Sequence, residues 1–273
     1  MAEFFELMFP PFVACLILTG IHAYLGVHVI ERGVIFVDLA LAQIAALGST
    51  VGFLFGLELH SQGGYFVALM FTLFGALVFA VTRRKQPVVP QEAIIGITYA
   101  VAAALSILIL SRAPEGGEEL KSLMVGHLLF IGWPEIVKIA AIYLIIGVIH
   151  FSFRKQFLLI STAPNEAYAR GMNIRYWDFL FYATFGFVVT SSVEVAGVLL
   201  VFSFLVVPAV CGALLTRSMP RRIVIGWGIG LLASITGISL SYLFDLPTGA
   251  TVVGVFGLAV PLTAVVRSRG RKL

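Results

Sequence analysis

An all-α membrane protein, a polytopic bundle of about nine transmembrane helices, is the architecture this sequence predicts, and three observations carry it. Of 273 residues, 60% are hydrophobic and only 12% are charged. The mean hydropathy of +1.03 is far from the balance of a soluble domain. The apolar residues fall into runs near the length of about 20 that a helix needs to cross the hydrocarbon. Finally, the loops between those runs alternate between basic and neutral-to-acidic.

The runs lie at approximately 10–30, 34–56, 64–82, 92–111, 133–152, 177–191, 195–216, 222–244 and 249–266. The N-terminus, MAEFFELMFPP, is acidic and lacks the basic region that opens a secretory signal, so the first run is expected to stay. The sixth run is short, and only SSVE (191–194) parts it from the seventh. Those two runs read as a tight helical hairpin or as a single broken helix. Cys15 and Cys211 sit inside apolar runs, outside any CxxC pair, and read as small buried hydrophobes.

Charge sets the orientation. Arg32, then Arg83, Arg84 and Lys85, then Arg154, Lys155, Arg170 and Arg175, then Arg217, Arg221 and Arg222, then the basic tail all fall on one side. The other loops carry Glu58 and His60, then Arg112, Glu115, Glu118, Glu119 and Lys121, then Glu194, then Asp245. This pattern predicts the N-terminus outside and the C-terminus in the cytoplasm. The basic clusters abut apolar runs without an aromatic platform between them, which excludes nucleic acid as a partner.

Two connections are more than linkers. LKSLMVGHLLFIGWP (120–134) holds an apolar run too short to cross and predicts a helix lying at the interface or dipping back in. STAPNEAYARGMN (161–173) predicts a short cytoplasmic helix capped by Ser161 and Thr162, with Pro164 in its first turn and Gly171 as its stop. Small residues recur at four-residue spacing: Gly48, Gly52 and Gly56; Gly96, Ala100 and Ala104; Gly226 and Gly230. Such stripes let helix backbones approach closely.

Several chemistries are ruled out by missing motifs. There is no HExxH, no GxSxG, and neither GxxxxGK[ST] nor GxGxxG to hold nucleotide phosphates. If ATP is used, another chain must bind it. A polar side chain is costly in hydrocarbon, so a position that keeps one faces a protein interior or a water-filled path. By distance from the charged ends, His22 and Gln43 fall near mid-depth, Asp38 and His28 nearer the cytoplasm, and Glu194 and Asp245 near the outer surface. Imidazole, carboxylate and amide together suit a borderline divalent cation such as Zn, Mn or Fe.

Asp38 and Gln43 are five apart, roughly 140° around a helix axis, so both reach one ion only if the helix is distorted. Plainer roles stand beside these. Gln43 and His22 can hydrogen-bond between helices. Asp38 can pair with Arg32 or cap a helix end, and Glu194 can be a solvated loop residue or a helix-start carboxylate. His60, His127 and His150 lie at run ends, where a polar ring is ordinary, although His127 on the outer face could meet incoming metal.

GVHVIERGVIFVDLALAQIAALG (26–48) resembles a stretch of the permeases of bacterial zinc, manganese and iron ABC importers: a glycine, an arginine-containing turn, then a GDALSHA-type helix ending in Gly. EAIIGITYA, VGHLLFI, APNEAYARGMN, VAGVLLVFSFLVVPAVCGALLT and FDLPTGATVV follow in family order, covering nearly the whole chain. Val195, Gly197, Pro208 and Ala209, with Asp245, Pro247 and Gly249, are its most specific part.

The resemblance implies a single transmembrane permease domain over residues 1–273 in the bacterial plasma (inner) membrane. It also implies a second permease copy, as a homodimer or closely related pair, a cytoplasmic ABC ATPase dimer below and an extracytoplasmic metal-binding protein outside. It makes 161–173 the coupling helix, with Pro164, Asn165, Glu166, Ala167 and Gly171 meeting the ATPase. Aligned on Gly48, the family's histidine falls on Gln43 and its aspartate on Leu39, so this chain lacks that i, i+4 pair and offers Asp38 one position earlier.

The resulting expectation is a transport subunit rather than an enzyme, with no tightly bound cofactor and a divalent Zn, Mn or Fe ion as its cargo. His22, Asp38, Gln43 and Glu194 are the candidate transport path. A permease for a chelated or organic substrate is one alternative. A proton-coupled secondary transporter, with Asp38, His22 and Glu194 as a relay, is another, although the inverted repeats it calls for are not found. An intramembrane enzyme ranks last for want of a nucleophile.

Overall fold

A computed structural model describes residues 2–58, 61–85, 88–111, 124 and 126–270. Ten α-helices follow in order: α1 (Ala2–Arg32), α2 (Val37–Leu54), α3 (Gln62–Thr82), α4 (Gln91–Leu110), α5 (Trp133–Ser152), α6 (Arg154–Thr162), α7 (Pro164–Ala169), α8 (Ile174–Leu215), α9 (Met219–Phe244) and α10 (Thr248–Gly270). The described residues contain no strand, as the run lengths predict. His60 and the outer-loop charges Arg112, Glu115, Glu118, Glu119 and Lys121 lie outside the described residues, as do 120–123 and 125. Within 120–134, Leu128–Phe130 form a 3₁₀ turn and Trp133 opens α5, while the expected interfacial helix falls largely on residues outside the described ones.

Among the described residues eight helices are long and apolar enough to cross a membrane, against the nine runs expected. The difference lies in α8, which joins the sixth and seventh runs in one element of 42 residues with a non-helical break at Gly197 (φ 72, ψ 162). The SSVE stretch is therefore helix rather than loop. Ser191 and Ser192 are buried, and their hydroxyls donate to the carbonyls of Phe187 and Val188 one turn back, which lets polar residues sit inside an apolar helix. At 1.5 Å per residue the arms before and after the break are about 34 and 27 Å long, each close to the hydrocarbon thickness.

The break is possible because glycine alone adopts that backbone freely. It is braced by the loop before the 3₁₀ turn: the His127 N–H donates to the Val195 carbonyl at 3.0 Å. Gly126 (φ 71) lies so close that a Cβ there would come within 2.3 Å of the Ala196 carbonyl carbon.

The chain forms two compact units. The first comprises Met1–Ile30, Val125–Tyr143 and Val195–Leu273. Its helices pack through small residues: a Cβ on Gly26 would strike the Leu205 carbonyl oxygen at 2.0 Å, and one on Gly237 would meet Val252 Cα at 2.7 Å. Phe204 and Phe256 meet edge to face at 5.0 Å in its core. The expected Gly226 and Gly230 stripe is used here, against Pro208, Ala23 and Thr19.

The second unit comprises Glu31–Met124 and Leu144–Glu194. Helix α2 is its centre, packed on α3 and α4. A Cβ on Gly48 would come within 2.7 Å of Ala68 Cα, so that member of the α2 stripe seats two backbones against each other. One on Gly52 would make only ordinary contact with Val67, and Gly56, beyond the end of α2, has nothing within 4 Å. The α4 stripe behaves differently: Gly96 has nothing within 4 Å of its Cβ position, and Ala100 and Ala104 are exposed. Glu92, in the first turn of α4, accepts the Phe36 N–H at 2.9 Å and ties α4 to the turn before α2.

Candidate functional site

The sequence-predicted path residues are divided between the units, His22 in the first and Asp38, Gln43 and Glu194 in the second. His22, on α1, is fully buried; its Nδ1 lies 2.8 Å from the Leu18 carbonyl, and its ring meets Tyr143 edge-on at 6.1 Å. That backbone contact fixes the ring's rotation and leaves Nε2 as the nitrogen on the far side. His28 and His150 are packed among aromatic rings. His28 is buried edge-on to Tyr24 at 4.8 Å, and His150 stacks on Phe157 at 4.5 Å with Nε2 2.8 Å from the Thr184 hydroxyl.

Asp38 is the second residue of α2 and only 1% exposed. Its Oδ1 is buried with no hydrogen-bond partner among the described residues. A carboxylate in the first turn is favoured by the helix's positive end, yet an unsatisfied buried oxygen is expensive unless something else meets it. Gln43, further along α2, is 6% exposed, and its amide Nε2 donates to Met124 Sδ at 3.9 Å.

Helix α2 is regular throughout, so Asp38 and Gln43 point in different directions, as the spacing requires. Glu194 lies in α8 three residues before the Gly197 break and is half-buried. Among the described residues no three His, Cys, Asp or Glu side chains gather where a metal ion could be held.

The stretch 161–173 is better organised than its length suggests. Helix α7 holds Pro164, Asn165, Glu166 and Ala167, with Pro164 at its start. Gly171 (φ 71) ends it: the Gly171 N–H donates to the Tyr168 carbonyl and the Met172 N–H to the Ala167 carbonyl, both at 3.1 Å, a Schellman stop. The expected cap is absent, since Ala163 occupies the cap position, while Ser161 and Thr162 belong to α6. A small apolar core of Ile160, Ala167 and Ile174, backed by Tyr168, Met172 and Trp177, fastens α7 to the end of α6 and the start of α8. Glu166 and Arg170 pair on the exposed side. Beside α7 a basic cleft is lined by Arg84, Lys85, Tyr168 and Arg175.

One cluster escaped the sequence reading. Asp178, fully buried on α8, accepts Arg32 Nη1 at 2.7 Å and Arg83 Nη1 at 2.8 and 2.9 Å. Arg32 also donates from Nε to the Ser161 hydroxyl at 2.9 Å, and its guanidinium lies 3.9 Å over the Phe181 ring. Arg32 is therefore held by Asp178, and the pairing with Asp38 weighed from sequence is not formed. The available signal was Asp178 itself, a lone carboxylate at the basic end of an apolar run.

Comparison with known proteins agrees with this architecture. The manganese transport system membrane protein MntC of Listeria monocytogenes is 26% identical over 230 residues, 84% of this chain and 79% of that one. The chelated iron transport system membrane protein YfeC of Yersinia pestis is 24% identical over 237 residues, 87% of this chain and 78% of its own. In the solved structure of PsaBC from Streptococcus pneumoniae in complex with Fab, one chain superposes with a TM-score of 0.79 at 20% identity, covering 96% of this chain and 94% of that one. The ABC 3 transport family model matches residues 4–267. With eight membrane-crossing helices and a family match over nearly its full length, the chain is a multi-pass membrane protein belonging to the ABC 3 transport family.

Proposed function

We propose that this chain is the permease subunit of an ATP-driven importer for divalent transition-metal ions, manganese or iron before zinc, in the bacterial plasma membrane. The observation that carries the reading is Asp38: a carboxylate buried in a membrane-crossing helix, with an oxygen no described donor reaches, in a chain whose relatives are named for manganese and iron transport. Asp38, Gln43, His22 and Glu194 meet the ion in turn as it crosses. Transient contact of this kind suits transport, since a site that holds too tightly does not release its cargo.

The energy comes from a separate ATPase dimer. Pro164, Asn165, Glu166, Ala167 and Gly171 form the coupling helix that meets it, and the basic cleft with Arg84, Lys85 and Arg175 offers an acidic ATPase surface a charged seat. A metal-binding protein delivers the ion from outside, and a second permease copy completes a dimer. The whole chain works as one permease domain, with the N-terminus outside and the C-terminus in the cytoplasm.

The test is uptake by vesicles holding the permease, its ATPase and its binding protein. Manganese or iron should enter only with ATP, and a His22→Ala, Gln43→Ala double variant should lose most of that uptake. Uptake by the permease alone, driven by a proton gradient, would sink the reading. A double variant that accumulates every metal like wild type would sink the path. The missing Asp/His pair and the chelated-iron relative favour a second reading, import of a chelated metal, which faster uptake of iron with its chelator than of free iron would support.

A further inference from the structure

We propose that Asp178, clasped by Arg32 and Arg83, is the joint through which α7 moves the membrane helices, so that breaking it lets the ATPase turn over without moving cargo. The inference rests on the importer reading above. Its starting point is that α7 has too few residues to act alone; what it pushes on decides what moves. Ala167 of α7 is fully buried against Ile160 of α6 and Ile174 of α8, so a force on α7 reaches those two residues directly.

Each of them stands beside a member of the charged cluster. Ser161 follows Ile160 and accepts Arg32 Nε at 2.9 Å. Asp178 lies one helical turn beyond Ile174, on the same face of α8, and holds both arginines at 2.7 to 2.9 Å. Arg32 is the last residue of α1, and Arg83 caps the end of α3. One buried carboxylate thus gathers the cytoplasmic ends of α1, α3 and α8 directly behind the seat of α7.

The chemistry favours a joint over a mere staple. Apolar contacts slide, whereas a carboxylate bonded to two guanidinium groups holds distance and direction together. With Asp178 and Arg32 wholly shielded from solvent, the attraction is little weakened by salt or water. Leucines would cover the same volume more cheaply, because burying an ion pair carries a desolvation cost. What the ions add is a link that cannot be displaced without parting charges, and that is the property a transmitting element needs.

The test uses the assembled complex in vesicles, with metal uptake and ATP hydrolysis read in the same sample. In Asp178→Asn, which keeps the shape and loses the charge, hydrolysis is expected to persist while uptake per ATP falls by about tenfold, within the range of known coupling effects. Asp178→Glu should recover part of that ratio. Ser161→Ala leaves the Arg–Asp–Arg contacts whole and should lower the ratio by a smaller factor. If Asp178→Asn does not assemble, Ser161→Ala decides: a lowered ratio supports the joint, and a wild-type ratio overturns it. A proportional loss of uptake and hydrolysis in Asp178→Asn, leaving the ratio unchanged, also overturns it. Wild-type vesicles that take up no metal with ATP would instead sink the importer reading on which the joint rests.

Discussion

Asp38 and Asp178 are both buried carboxylates on membrane-crossing helices, and their surroundings differ sharply. Two guanidinium groups compensate Asp178, while Asp38 keeps an oxygen without a donor among the described residues. Asp38→Asn is accordingly expected to lower metal uptake about tenfold or more while leaving expression and thermal stability near wild type, as uptake and melting of the purified complex would show. Asp178→Leu strands two arginines without their counter-ion, and breaking a buried pair in this way costs about 3–5 kcal/mol. It should melt well below wild type in detergent; an unchanged melting temperature would show that the cluster bears no load. Asp38 was legible in the sequence as a carboxylate within a greasy run. The Asp178 cluster was not, because its Arg32 partner stands 146 residues away, and no local pattern encodes such a meeting.

Among the elements, the long apolar helices were legible because their length and composition answer directly to the bilayer. The α7 stop was legible as well, since a glycine at that place has a specific backbone job, and Gly171 does it. For α8 the sequence left a hairpin and a broken helix both open, and the structure takes the second: the hydroxyls of Ser191 and Ser192 are satisfied by the preceding turn, so SSVE stays helical and the break falls at Gly197. One substitution measures how tightly that break is held, and a second on α5 serves as its control. Gly126→Ala drives a Cβ into the backbone at Ala196 and Gly197 at a positive φ, and overpacking of this kind costs about 1–3 kcal/mol. Gly147→Ala in α5 meets nothing within 4 Å and should stabilise by about 0.5–1 kcal/mol through helix propensity alone. Melting curves of the two variants should shift in opposite directions.

At the scale of the whole molecule the orientation is open to a direct check. Cys15 and Cys211 are fully buried, so the native background is quiet to thiol reagents. A membrane-impermeant maleimide should label Glu58→Cys in intact cells, and Arg84→Cys and Ser268→Cys only after the cells are opened. The reverse pattern would invert the topology read from charge. The eight helices are not equally enclosed: two thirds of α2 is buried, against 22% of α4 and 17% of α10. In the second unit the enclosed helices meet at seams without slack, where a Cβ on Gly48 would press on Ala68, one on Gly75 on Ile44 and one on Gly186 on Thr72. A saturation library would therefore recover very different spectra from the two kinds of surface. Along the seam almost any gain in bulk is lethal however greasy the newcomer, whereas the outer face of α4 accepts any oily residue of any size, so the lineage is free to drift in its skin and nearly frozen at its seams.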